Sequence, residues 1–201
     1  MSFPMFEALF GSRIRARLIR FFMLNPHTAY SSSEISEKTM LPRAEVTRDL
    51  RKLVKAKMLR ESSRKRVKVF QLHPNFPFFA ELKGLVVKSN VDVPKQAFHK
   101  FKTVGDVKLL LTGGLFLDDP KSKTDLVLVI NNSNRSKLAR AMERLEAEIG
   151  QDIRFVLMDT DELNYRLNML DRFLIQFLEG PYQEVVNRLP GWKRVIAGIR
   201  K

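Results

Sequence analysis

Residues 42–58 run PRAEVTRDLRKLVKAKM. Val46, Leu50, Leu53 and Val54 recur at the spacing of one apolar stripe on an α-helix. Pro42 suits the first helical turn, where a missing N–H leaves no bond unmade. Arg43, Ala44, Thr47, Arg48 and Arg51 fall on the opposite side. A helix whose outer face is basic and small-polar from its first turn can enter the major groove of DNA. An isolated solvated helix would carry the same pattern, so the neighbouring segments decide between the two readings.

Upstream, the apolar period of Phe6, Leu9, Phe10, Ile14, Leu18, Phe21 and Phe22 predicts one helix over Phe6–Leu24, with Arg13, Arg17 and Arg20 on another face. Asn25-Pro26 ends it, because the residue before proline is pushed out of the helical region. Ser31 followed by Glu34 fits a capping box and predicts a short helix over Ser32–Lys38. Thr39-Met40-Leu41 is then the turn of a helix-turn-helix arrangement. Downstream, Met58-Leu59 begins an extended piece, Arg60–Arg66 is polar and turn-like, and Val67–Leu72 alternates as a strand. Two strands joined by a basic tip make a β-hairpin. A turn at Pro74–Pro77 precedes a helix over Phe78–Lys88, which packs back on the domain or pairs with a partner.

Over roughly residues 5–88 this order of elements, with LPRAEVTRDLRKLVKAKMLRES, resembles the winged helix-turn-helix regulators of bacteria and archaea. The stretch is similar to the recognition helix and first wing strand of that family. One departure is Lys57, where many members carry glycine. The resemblance implies that Arg43, Ala44, Thr47 and Arg48 face base edges and that Arg51, Lys52 and Lys55 neutralise phosphates. Arg64, Lys65 and Arg66 at the wing tip would reach backbone or an adjacent minor groove. Ser31, Ser32 and Ser33, at a helix N-terminus, could hydrogen-bond a phosphate.

The charge distribution agrees with that expectation. The 201 residues carry +14. Residues 1–90 hold 18 Lys and Arg against 7 Asp and Glu, while residues 91–201 hold 18 against 15. Residues 43–68 alone hold 11 basic and 3 acidic side chains, the footprint of a polyanion-binding surface. There is no cysteine, hence no disulfide framework and no thiolate chemistry. His27, His73 and His99 lie in no ligand spacing and are expected in loops or at the surface. No apolar run approaches the roughly 20 residues that span a bilayer, and MSFPMFEALFGSRIR lacks the features of a signal peptide. A cytoplasmic protein, nucleoid-associated when bound to DNA, is expected.

A domain boundary is expected at Ser89–Pro94, dividing the chain into 1–90 and 91–201. Beyond it the patterns predict a helix over Gln96–Phe101 and strands over Asp106–Thr112, Thr124–Ile130 and Ile153–Met158. They also predict helices over Ser133–Ile149, Asp161–Leu167 and Leu170–Leu178. Strands alternating with helices imply an α/β sheet domain, and the whole chain an α+β class.

LLLTGGLFLDDPKSKTDLVLVI resembles the core of the minimal nucleotidyltransferases, of DNA polymerase β-like fold, over roughly residues 95–180. DELNYRLNMLDRFLIQFLEGP is similar to the helices that follow that core. The family's chemistry needs two carboxylates at i and i+2, which on a strand point to one side and hold divalent metals. Here Asp125 matches the second and Lys123 stands at the first. Gly114, after Gly113, stands where the family's serine contacts phosphate. For the third carboxylate only Asp152 offers itself, with Arg154 on the strand, while Asp118 and Asp119 sit in a loop. Gly113-Gly114 read alone is a tight turn after a strand, and this is the favoured reading.

These departures lead to the expectation of a sequence-specific double-stranded DNA-binding regulator fused to a catalytically dead nucleotidyltransferase-like domain. No catalytic residue, metal ligand or cofactor is expected. A homodimer is, and a nucleotide effector is compatible. Two rivals stand beside it: an active nucleotidyltransferase whose basic domain tethers its substrate, and a structural or RNA-binding adaptor. Lys123 argues against the first. The scarcity of aromatic residues on the basic surface argues against single-stranded targets.

Overall fold

The computed structural model describes residues 4–90, 101 and 103–199. The chain is a mixed α and β protein with two small sheets. Its compact units are Met1–Ser89 with Glu143–Asp152, and Asn90–Met142 with Ile153–Lys201. The first unit thus takes in a later segment that a single division at residue 90 leaves out. The helix expected over Gln96–Phe101 lies, apart from Phe101, outside the described residues, as does His99.

In the first unit the helix expected to run unbroken over Phe6–Leu24 is two, α1 (Pro4–Phe10) and α2 (Arg13–Leu24). Gly11 takes a φ of 62°, outside the right-handed region, and Ser12 restarts the chain as N-cap, its Oγ accepting from the Arg15 N–H. β1 (Tyr30–Ser31) leads into α3 (Ser32–Thr39), whose capping box is complete. The Ser31 N–H donates to Glu34 Oε2 at 2.6 Å, and the Glu34 N–H donates to Ser31 Oγ at 3.3 Å. Met40, left-handed at φ 50°, makes the turn to α4 (Arg43–Lys55). Pro42 is the N-cap of α4 rather than its first helical residue.

The end of α4 is a Schellman motif. The Met58 N–H donates to Leu53 O and the Lys57 N–H to Val54 O, with Lys57 itself at φ 56°. A lysine therefore occupies the left-handed position that glycine fills at least cost. β2 (Leu59–Arg64) and β3 (Val67–Leu72) follow as an antiparallel hairpin. Strand pairing continues through Arg64↔Val67, so the tip is only Lys65-Arg66, both with positive φ, and not the longer polar turn expected over Arg60–Arg66. β1 adds to β3, giving the order β1-β3-β2. α5 (Phe79–Asn90) closes this stretch, with Val86 buried. Leu18, Phe22, Ile35, Val46, Leu50, Leu53 and Phe70 form the core.

Arg17 and Arg20, on a face of α2 apart from its apolar stripe, are buried. Arg20 donates to Ser89 Oγ at 2.8 Å and to Glu148 O at 3.3 Å, and its guanidinium lies 4.8 Å from the Phe6 ring centroid. Arg17 donates to Thr39 O and pairs with Glu148 at 3.5 Å. Desolvation, then the like charge of Arg17, pushes the Arg20 guanidinium down to about 9, and Glu7 and Glu148 partly offset this.

In the second unit β4 (Asp106–Thr112), β5 (Leu126–Asn131), β6 (Phe155–Met158) and β7 (Gln183–Asn187) form a sheet of order β6-β5-β4-β7. Only the β5–β6 pair is parallel. α6 (Arg135–Ile149) joins those two strands, and its C-terminal part belongs to the first unit. α7 (Thr160–Asn168) and α8 (Arg172–Glu179) start at the N-caps Asp159 and Asp171. β7 and α9 (Trp192–Ile199) lie in a segment for which the sequence predicted no element. Leu109, Leu111, Val127 and Val129 pack against Met158, Leu163, Leu174, Phe177 and Trp192 as the core. Trp192 Nε1 donates to Glu184 Oε1 at 2.9 Å, tying α9 to β7.

Candidate nucleic-acid interface and carboxylate site

The apolar stripe of α4 points inward, with Val46, Leu50 and Leu53 buried and Val54 half-buried. What remains outside follows from the 3.6-residue period. Arg43, Ala44, Arg48, Arg51, Lys52 and Lys55 are exposed, and Thr47 is half-buried. The Thr47 hydroxyl donates back to Arg43 O at 2.9 Å. On the hairpin Arg64, Lys65 and Arg66 are exposed. Ser31 and Ser32 are half-buried and Ser33 is exposed; the Ser31 hydroxyl is already taken by its cap.

Among the described residues no carboxylate pairs with Arg43, Arg51, Lys55, Lys65 or Arg66. Cations held without partners keep their field for an external anion. Arg48 and Lys52 differ. Asp49, which the sequence reading passed over, is buried, and its Oδ1 lies 3.3 Å from Lys52 Nζ and 3.4 Å from Arg15 Nη2. Its Oδ2 lies 3.7 Å from Arg48 Nη2, and Glu45 Oε2 lies at the same distance from that nitrogen. Its three cations come from both α4 and α2, and no local pattern announces the cluster.

The Glu34 carboxyl lies below its usual range. The Ser31 backbone bond contributes most, then the Ser31 side chain, with the charges of Arg64 and Lys38 adding to it. The last residue of β2 is therefore felt at the start of α3.

The second site departs from the strand geometry expected of it. β5 begins at Leu126, so Lys123 and Asp125 precede the strand. Ser122 Oγ donates to Thr124 O and accepts from the Thr124 N–H, turning the chain there. Lys123 is exposed while Asp125 is buried, so the i, i+2 rule for one strand face does not apply to them. Asp152, the remaining carboxylate candidate, is exposed and pairs with Lys38 at 3.4 Å.

Both Asp125 oxygens are occupied. Oδ1 accepts from Arg154 Nη2 at 2.7 Å and from the Leu115 N–H at 2.8 Å. Oδ2 accepts from Arg154 Nε and from the Arg154 N–H, each at 2.9 Å. This is a bidentate fork with two backbone donors added, and it raises the Arg154 guanidinium above its ordinary value, chiefly through the hydrogen bonds. Arg154 precedes β6 instead of lying on it. Gly114, at φ 44°, is where the close approach is made: a Cβ there would collide with Asp125 Oδ1 and lie 2.9 Å from Thr124 O. A cation at Asp125 would have to displace the guanidinium. Among the described residues no cluster of His, Asp and Glu could hold a metal ion. A cavity of about 200 Å³ adjoins this loop, with Lys121, Lys123, Phe173 and Phe177 among its lining residues.

Among the described residues no helix is long and apolar enough to cross a membrane. Comparison with family models, curated proteins and solved structures finds no match to this chain.

Proposed function

We propose that this protein is a sequence-specific, double-stranded DNA-binding transcriptional regulator of the winged helix-turn-helix kind. The observation that carries the reading is the outer face of α4, where Arg43, Arg51 and Lys55 are exposed and unpaired among the described residues, followed directly by a hairpin tipped with Lys65-Arg66. A helix of this breadth fits the major groove, and a short basic hairpin beside it fits the adjacent backbone or minor groove. Arg43, Ala44, Thr47 and Arg48 then meet base edges, and Arg51, Lys52, Lys55 and Arg64 position the protein on phosphates. A homodimer on a two-fold site supplies the specificity that a single helix lacks. Its working compartment is the cytoplasm.

The second unit is, in this reading, a nucleotidyltransferase-like scaffold without nucleotide transfer. The occupation of Asp125 by Arg154 favours it, since Mg²⁺ takes one or two carboxylates plus substrate phosphates and both Asp125 oxygens are already engaged. A nucleotide without turnover could still act as effector, its phosphates toward Lys121 and Lys123.

The test is the dependence of duplex affinity on salt. If about six phosphates are neutralised per dimer, log K falls against log salt with a slope of about −5. A slope near zero rules the reading out, as does equal binding by a chain with Arg43, Arg51, Lys55 and Lys65 all changed to Gln. Label transfer from a nucleoside triphosphate that is lost in Asp125→Ala would instead establish the enzyme.

A further inference from the structure

Asp49 stands in an unusual place for an acid. It lies on the helix that carries the densest basic charge of the chain, and its side chain is only 1% exposed. A buried carboxylate must be compensated, or its desolvation is prohibitive. Here one cation reaches it from the α2 side: Arg15, which also donates to Phe10 O at 3.2 Å and is thereby fixed to the fold. The other two, Arg48 and Lys52, come from the exposed face of α4, with side chains 61% and 52% exposed. An exposed arginine or lysine ordinarily samples many rotamers. Here the charged tips of both, Arg48 Nη2 at 3.7 Å and Lys52 Nζ at 3.3 Å, lie against the buried carboxylate.

We propose that Asp49 is a positioning residue for base recognition: from its buried site it holds the Arg48 guanidinium in the orientation in which that group meets a base. This rests on the DNA-binding reading above. Arg48 has five N–H donors; Nη2 faces Asp49 and Glu45, and the N–H groups that point away from the acids are left for a base acceptor. Because the acid is buried, it orders the cations while presenting little negative surface to the phosphates. Orientation and net attraction are thereby separated, and this separation gives the proposal a signature that fold damage does not share.

The experiment compares the full chain with Asp49→Asn on two duplexes, a site recovered by selection and a scrambled one, after thermal melting has confirmed that both proteins are folded. Asn keeps the shape and removes the charge. Specific affinity should fall by about tenfold, the scale on which one mismatched base pair discriminates. Affinity for the scrambled duplex should hold or rise, because an acid has been removed. In an Arg48→Ala background Asp49→Asn should leave discrimination unchanged. Equal loss on both duplexes, or undiminished discrimination, overturns the proposal while leaving the function standing. A parent chain that prefers neither duplex overturns the function and the proposal together. Should Asp49→Asn fail to fold, ¹⁵N relaxation of the Arg48 Nε–H in the free parent chain decides. An order parameter above about 0.6 is expected, and a lower one overturns the proposal.

Discussion

Arg154 closes on Asp125 with three of its own nitrogens, two from the guanidinium and one from the backbone, at 2.7–2.9 Å. Asp125 is buried, whereas the Arg154 side chain is 54% exposed. The pair therefore neutralises a carboxylate from the solvent side, in the loop region where Gly114 makes the closest approach.

Removing the guanidinium strands a buried charge. Breaking a fully buried pair costs about 3–5 kcal/mol, and the exposure of Arg154 reduces that to about 2 kcal/mol for Arg154→Ala. Denaturant unfolding measures it, and a loss under about 0.5 kcal/mol would show that the pair does not hold the loop.

Gly114→Ser restores the serine of the resembled motif, yet it places a Cβ against Asp125 at a φ of 44°. Left-handed strain adds about 1–2 kcal/mol to the steric cost. The variant should melt below the parent and gain no nucleotide transfer. A variant that melts like the parent would show that the loop yields without cost.

Lys57→Gly relieves the opposite situation, a side chain held at φ 56° in the C-terminal turn of α4. Glycine there should stabilise the chain by about 1 kcal/mol, read as a higher denaturant midpoint with unchanged slope. No gain would mean that Lys57 makes compensating contacts on its own behalf.

How much of this was legible in the sequence can be judged residue by residue. α4, β4 and the Ser31–Glu34 capping box carry their periods and caps within a few residues, and local pattern suffices for them. Gly11 also carried its signal, but seven apolar residues in helical phase outweighed a single glycine. The burial of Arg17 and Arg20 had no local trace, because their carbonyl and carboxylate partner, Glu148, comes from far along the chain. The pairing of Asp125 with Arg154 was hidden for the same reason; each was expected on a different strand, with nothing local to join them. β7 pairs with β4 through backbone bonds, and QEVVN is too short and polar to show a period of two.

Acid should act on α3 through Glu34. Its folded pKa is depressed below the ordinary 4.5, so its contribution is present in full above 4.5 and is lost as pH falls through the lower folded value. Parent and Glu34→Gln chains should therefore differ in stability at pH 7 and converge as pH falls below the lowered folded value. A difference that persists unchanged into acid would show that the capping carboxylate contributes nothing through its charge.

The central claim is that α4 and the Lys65-Arg66 hairpin read duplex sequence. The most direct measurement is selection by the full-length chain from a random double-stranded library, with the enriched sequences aligned. The account predicts a short inverted repeat that loses a preferred base, but not its symmetry, when Arg48→Ala replaces the parent. Recovery of sequences no different from the input library would contradict it.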